Sequence, residues 1–356
     1  MVRYFSIIWT LCLLFLLSGC EEVIDVDIPA SMLDGIVFNG VITRENPPCF
    51  FLLRKPALIS GQDGQYEGIE DATMIVTDCT DGIKDTMQVL HPYDDYGGVF
   101  YDYYDYYQKK SARVAVNPGH DNISCRGMYA TTKIYGIEGH SYQLDIFYGG
   151  KHYKSDIQRM ESALPITDMK LKRFDFNEKG HTWAPCISFI NPFGVDNYYL
   201  FQLNANSYTN YSLKHPQFLL SSGQFWGYSI LSDEYLEENV VDFLIDDGEN
   251  PLGYPPGWDY PMGDSLYVWA QTISRSCYDV FDQMIRQFRS DGGAYTPAPS
   301  SVGSNISGGA YGCFRVSAVS EKGILLQDIG IQHQSQIQQL DQGLARRKEH
   351  AEKAFA

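Results

Sequence analysis

Short runs of alternating apolar and polar residues, cut by Gly, Pro, Asp and Asn, fill the chain from Leu33 onward: GIVFNGVIT, CFFLLRKPAL, ATMIVTDCTDG, DTMQVL, GGVFYDYYDYY, ARVAV and HSYQLDIFYGGKHYKS. A period of two over four to eight residues, bounded by turn formers, predicts half-buried β-strands. Seven such runs in succession predict an antiparallel sandwich of immunoglobulin-like type. Gly149-Gly150, between LDIFY and KHYKS, predicts a two-residue hairpin turn, because such turns need positive φ at their centre. After Leu164-Pro165 the runs MKLKRFDF, CISFINP and NYYLFQLNA predict further strands of a second unit. One stretch changes period. From about Ser274 to Arg289, Cys277, Val280, Phe281, Met284, Ile285 and Phe288 recur at three and four, which predicts a helix stopped by Asp291-Gly292-Gly293.

Other stretches resist any regular element. GYPPGWDYPMG, residues 253–263, is too rich in Pro and Gly and predicts a loop. Beyond Val319 the strand pattern fades, and the Gln-rich segment that follows has too few repeating apolar residues to bury a face, so it predicts a mobile tail or a solvated helix. The expected class is therefore mainly β: an N-terminal immunoglobulin-like β-sandwich followed by a second β-rich domain with one helix. The expected divisions are a signal peptide over 1–19, a lipidated acidic tether over 20–32, the sandwich over 33–160, the second domain over 161–325 and a polar tail over 326–356.

The N-terminus carries the clearest signal about location. An apolar run between Arg3 and Cys20 closes on Ser18 and Gly19, the layout of a secretory signal, and it falls short of the roughly 20 apolar residues a membrane span needs. Leu17-Ser18-Gly19-Cys20 resembles the bacterial lipobox, in which the cysteine is acylated and becomes the first mature residue, anchoring the chain by lipid. Glu21, Glu22, Asp25 and Asp27 follow at once. Acids beside a bilayer are repelled by anionic headgroups, so they contribute no anchoring. They resemble the acidic export signal that sends Bacteroidota lipoproteins to the cell surface; a solvated tether is the alternative.

Charge narrows the partners. Loss of residues 1–19 removes one arginine and no acid, leaving 26 basic against 44 acidic residues. Nucleic-acid binding needs clustered Lys and Arg and is disfavoured. The 26 Tyr and 19 Phe, with few helical stretches, agree with a strand-rich chain. Six cysteines remain after Cys12 and Cys20: Cys49, Cys79, Cys125, Cys186, Cys277 and Cys313. In an exported chain they permit up to three disulfides, among fifteen pairings that the sequence does not separate. Without a CxxC pair or a His-rich cluster, neither a structural metal nor a cofactor is expected.

Candidate chemistry is sparse. YDYYDYY, with Tyr101, Tyr103, Tyr104, Tyr106 and Tyr107, cannot turn every ring to the core on a strand of period two. Several of these tyrosines must face solvent, a ligand or a partner, and tyrosine brings large rigid area to an interface. Partner contact leads; glycan or peptide binding and a half-buried edge strand are the other readings. Asp246, Asp247, Glu249, Asp259 and Asp264 could offer oxygen ligands to calcium but lack EF-hand spacing. A glycosidase pair would depend on a through-space separation that sequence does not give. There is no G-x-S-x-G, HExxH or phosphate loop, so binding rather than catalysis is expected. Asp85-Thr86-Met87 and Asp264-Ser265-Leu266 match the short Bacteroidota O-glycosylation pattern, making Thr86 and Ser265 candidate sites.

The order of these segments resembles the Bacteroidota lipoproteins grouped as domain-of-unknown-function family 4249. The likeness rests on the lipobox with its acidic start, GIVFNGVIT, EDATMIVTD, GIEGHSYQLDIFYGGKHYKS, and SNISGGAYGCFRVSAVS, over about residues 17–320. In the last segment, Gly308-Gly309 and Gly312 suit a tight turn leading into a buried strand. Cys49, Cys79, Cys125, Cys277 and Cys313 match no family pattern. The resemblance implies an outer-membrane accessory lipoprotein beside a SusC-like TonB-dependent receptor, with an immunoglobulin-like first domain. An extracellular subunit of a barrel-assembly machine and a free-standing glycan- or peptide-capturing lipoprotein are the alternatives.

Overall fold

The computed structural model describes residues 34–44, 47–56, 67–95, 98–116, 126–176, 180–205, 228–245, 265–289 and 302–325. Cys20, Glu21, Glu22, Asp25, Asp27, the loop 253–263 and the tail 326–356 lie outside these residues, as do Cys125 and the acids at 246, 247, 249, 259 and 264. The described part is mainly β, with several antiparallel sheets and one helix.

The first run of strands comprises β1 (Ile36–Thr43), β2 (Phe50–Arg54), β3 (Thr73–Asp78), β4 (Ile83–Thr86) and β5 (Gln88–Leu90). A three-stranded excursion follows as β6 (Pro92–Asp95), β7 (Gly98–Asp105) and β8 (Lys110–Val116). Then come β9 (Met128–Ala130), β10 (Ser141–Tyr148), β11 (Lys151–Lys154) and β12 (Gln158–Arg159). The remaining strands are β13 (Ile166–Phe176), β14 (Gly180–Ile190), β15 (Tyr198–Ala205), β16 (Tyr228–Ser232), β17 (Asn239–Leu244) and β18 (Ser265–Ile273). Helix α1 (Arg275–Arg289) leads to β19 (Ala310–Ser317) and β20 (Val319–Leu325).

Two sheets face each other over the first core. One runs β19-β1-β2-β9-β5 and the other β11-β10-β3-β4, with β12 beside β10. Alternation decides the faces: Phe38 and Ile42 of β1, Met74 and Val76 of β3, and Leu144 and Ile146 of β10 all point into one cluster. Burying each such side chain stabilises the fold by about 1.5–3 kcal/mol. β2 shows no alternation, because Phe51 and Leu53 join that core while Phe50 is buried on the opposite face beneath β7 and β8. That double burial is why FFLL reads as a continuous apolar run.

The β10–β11 hairpin turns at Gly149 and Gly150, with φ of 56° and 75° as its tight turn requires. Two further sheets, β13-β14-β17 and β16-β15-β18-β20, share a second core around Ile187, Phe189, Tyr199, Phe201, Leu266 and Val268. The helix predicted from Ser274 begins one residue later. Ser274 is its cap, its Oγ accepting from Cys277 N at 3.3 Å.

Two findings depart from the expectations. Residues 310–317 fall in the second of the expected units, yet β19 runs parallel to β1, from Ile36 opposite Ala310 to Thr43 opposite Ser317. The strand pattern also continues beyond Val319: β20 pairs antiparallel with β18 from Val319 opposite Gln271 to Leu325 opposite Ser265. Its outward positions are Glu321, Gly323 and Leu325 and its half-buried ones Ser320, Lys322 and Ile324, so apolar and polar residues do not alternate and the strand is not readable from sequence.

Candidate functional site

β7 carries the tyrosine-rich run, and its pleat divides the rings. Tyr101 is fully buried in the cluster with Phe50, Leu90, Val114, Met128 and Ala130, and Tyr103 packs edge-on against Phe50 with ring centroids 5.5 Å apart. These two rings cement the three-stranded sheet β6-β7-β8 onto the first sandwich; Tyr101 is closed to any partner, while Tyr103 is half-buried. The expectation of partner contact is corrected for Tyr101 on that ground. Tyr104, on the other face, is 44% exposed, and Tyr106 in the following turn is 49% exposed. Their rings meet edge to face at 5.0 Å.

The turn that sets Tyr106 outward is built by Asp105. Its buried carboxylate accepts from Tyr107 N and Gln108 N, both at 2.9 Å, and Lys109 closes the turn with φ of 53°. Tyr107 bends back inward. Its hydroxyl donates to the Ile134 carbonyl at 2.6 Å and meets Thr131 Oγ1 at 3.0 Å, while its ring stands edge-on to Tyr135. Burial pushes the Tyr107 hydroxyl well above its ordinary ionisation range, so it remains a donor at any physiological pH. Tyr135, 43% exposed, extends the aromatic surface from the neighbouring loop.

That loop, residues 131–137, is fastened from below by Asp85. One oxygen of this fully buried carboxylate accepts from Thr132 N at 2.8 Å, Lys133 N at 2.6 Å and Ile134 N at 2.8 Å, and the other accepts from Thr132 Oγ1 at 2.5 Å. The Tyr142 hydroxyl bridges the far end, accepting from Ile137 N at 3.0 Å and donating to the Tyr135 carbonyl at 3.2 Å. Buried, charge-assisted bonds of this kind hold a loop in one shape. The outcome is an exposed Tyr104–Tyr106 pair, with Tyr135 exposed beside the inward-turned Tyr107, on a fixed backbone suited to stacking against a flat or apolar surface of something else.

Thr86 ends β4 with its side chain exposed, but the adjoining Asp85 of its three-residue pattern is the buried loop clamp just described. Ser265 heads β18, paired with Leu325; its side chain and its flanking Asp264 lie outside the described residues. Sequence reasoning missed Tyr135 and Asp85. Nothing in KIYGIEG or IKDT marks either, since both act through neighbours 20 to 50 residues away.

Among the described residues one group, Asp78, Asp81 and His140, brings three potential ligand atoms within 4.8 Å of one another. Asp78 Oδ2 is 2.9 Å from His140 Nδ1, and its Oδ1 accepts from Thr80 N at 2.9 Å and Asp81 N at 3.3 Å. Both oxygens are thus committed to closing the β3–β4 turn and tying it to the start of β10. Cys79 in that turn is an exposed thiol whose ionisation is pushed up by burial and by Asp78, which makes it a poor nucleophile. Of the other cysteines, Cys277 and Cys313 form a disulfide, while Cys49 and Cys186 are buried.

Neither the protein-family models nor the curated proteins compared with this chain match it.

Proposed function

We propose that the protein is a surface-exposed outer-membrane lipoprotein that works by binding, as an accessory subunit of a SusC-like, TonB-dependent-receptor-like complex. The observation that carries the binding role is the Tyr104–Tyr106 pair, two large rings left in solvent on a backbone that Asp105, Asp85 and the Tyr107 hydroxyl hold fixed. Rigid exposed aromatics lose little conformational entropy on association, which is what a docking surface needs. Leu17-Ser18-Gly19-Cys20 and the acids behind it support a lipid anchor and the cell exterior as the place of work. The first sandwich is read as immunoglobulin-like, with its two sheets closed over one core.

Purification of the tagged native lipoprotein from outer membranes in mild detergent, followed by mass spectrometry, tests this. One SusC-like barrel at fixed stoichiometry, lost when Tyr104 and Tyr106 are both changed to alanine, supports the proposal. Recovery of several barrel-assembly subunits supports a cover on that machine instead. Recovery of the protein alone overturns both docking readings in favour of independent glycan or peptide capture.

A further inference from the structure

At one end of the second sandwich, two loops are laced side by side. Residues 191–197 join β14 to β15, and residues 233–238 join β16 to β17. Asn191 N donates to the Glu238 carbonyl at 2.7 Å, and Asp233 N donates to the Asn197 carbonyl at 3.1 Å. Asn197 Nδ2 donates to Asp233 Oδ2 at 2.8 Å and reaches the carbonyls of Pro192 at 2.9 Å and Val195 at 3.1 Å. The Asn191 side chain is buried and accepts from the Tyr199 hydroxyl at 2.7 Å, rooting the first loop in the core. Two buried asparagines therefore set the shape of both loops.

The side chains these loops put outward are apolar. Phe193 is 83% exposed, Val195 61% and Tyr235 88%. On a slack loop such residues could fold back onto the body, but here the backbone on either side of each is pinned. Within the two loops the charge is of one sign: they contain Asp196, Asp233, Glu234, Glu237 and Glu238 and neither Lys nor Arg. An apolar centre with an acidic rim is the composition of a specific protein contact rather than of a solvated turn.

We propose that these two loops form a second docking tip, whose partner is a protein surface with an apolar pocket for Phe193 and Tyr235 bordered by lysines or arginines. Charge complementarity selects this occupant. Five carboxylates would be repelled by an anionic lipid surface, and the same acids on a second copy would face one another across a two-fold axis at a cost. Basic residues opposite them neutralise the rim and speed encounter, while the rings supply the buried area. The tip is on the other sandwich from Tyr104 and Tyr106 and does not depend on their role.

Full-length chains carrying photocrosslinking p-benzoylphenylalanine at position 193 or at position 235 test the proposal in intact cells. The expected result is that both positions crosslink to one and the same protein, at a site mapped by mass spectrometry to apolar residues flanked by Lys or Arg. A chain that also carries Glu234→Lys and Glu237→Lys should lose on the order of tenfold in crosslink yield, while Tyr104→Ala with Tyr106→Ala leaves it unchanged. All of these positions are exposed, and an unaltered melting temperature confirms that each variant is folded. A crosslink within the chain, a crosslink between copies with a dimer in sedimentation, Phe193-dependent binding to phosphatidylethanolamine–phosphatidylglycerol vesicles, a mapped site without basic residues, or no crosslink from either position would each overturn it.

Discussion

Cys277 on α1 and Cys313 on β19 are joined by a disulfide, their Cα atoms 5.9 Å apart across 36 residues of sequence. The bond lies in a small core with Leu200, Ile273, Val280 and Phe281, so it fastens the helix, the outer face of β15 and β18, and the strand beside β1 at one point. Arg315, two residues further along β19, donates from Nη1 to Gln271 Oε1 of β18 at 3.0 Å and lies over the Phe281 ring. Closing a loop of this length removes unfolded-state entropy worth about 3–4 kcal/mol. Cys277→Ser combined with Cys313→Ser is expected to lower the unfolding free energy by about that amount in urea titration, with the same loss in the unaltered protein under reductant.

Asp85 gives a second measurable consequence. Asp85→Asn keeps the volume and leaves one carbonyl oxygen for the N–H groups of Thr132, Lys133 and Ile134, but it removes the charge that strengthens those three bonds, so about 1–3 kcal/mol of stability should be lost. Because the same loop accepts the Tyr107 hydroxyl, amide exchange in residues 131–137 should quicken more than in β10. Equal acceleration in both would mean that Asp85 supports the whole sandwich and not the loop.

Gly312 tests the parallel pairing of β19 with β1. It lies opposite Phe38 at φ of 94°, and a Cβ there would come within 2.0 Å of the Phe38 carbonyl oxygen. Gly312→Ala must therefore strain the backbone and push the strands apart, at a cost of at least about 2–3 kcal/mol. Gly150→Ala, where the space is open, should cost less in the same titration.

Alkaline pH should unfold the protein in a defined window. Burial pushes the Tyr129 hydroxyl up to about 12, and it pushes Tyr107, Tyr142 and Tyr199 up as well. In the unfolded chain these groups ionise near 10, so the folded state holds more protons above that pH. Their contribution is complete below about pH 10 and falls as pH rises toward the folded values, by about 1.4 kcal/mol per pH unit for each tyrosine. Tyrosinate absorbance should rise in two stages, exposed rings first and the buried set together with loss of the β-sheet circular dichroism signal. A single smooth titration near 10 would contradict the burial.

Removing the exposed pair should separate binding from stability. Tyr104→Ala and Tyr106→Ala take away rings that are half in solvent, so stability should move by less than about 1 kcal/mol. Retention of the proposed outer-membrane partner should drop roughly tenfold or more if the pair lies at the centre of the contact. Tyr101→Ala should do the reverse, opening a cavity beneath β7 at about 3–5 kcal/mol.

Strands whose two faces meet different surroundings were readable from the chain itself, because period two is written into the residues: β3, β10 and the first half of β1 alternate and fold as their alternation directs. Gly149-Gly150 and the helix after Ser274 were equally local, since positive φ and a three-and-four spacing involve only neighbours. Pairing is a different kind of fact. That β19 joins β1 in parallel after some 270 residues, that Cys277 meets Cys313 among fifteen possible connections, and that Tyr101 is buried while Tyr104 is not, depend on which surfaces meet in space. Alternation states that successive side chains point to opposite faces; it carries no information about what covers either face, and only the packed sandwich decides which tyrosines are core and which remain available to a partner.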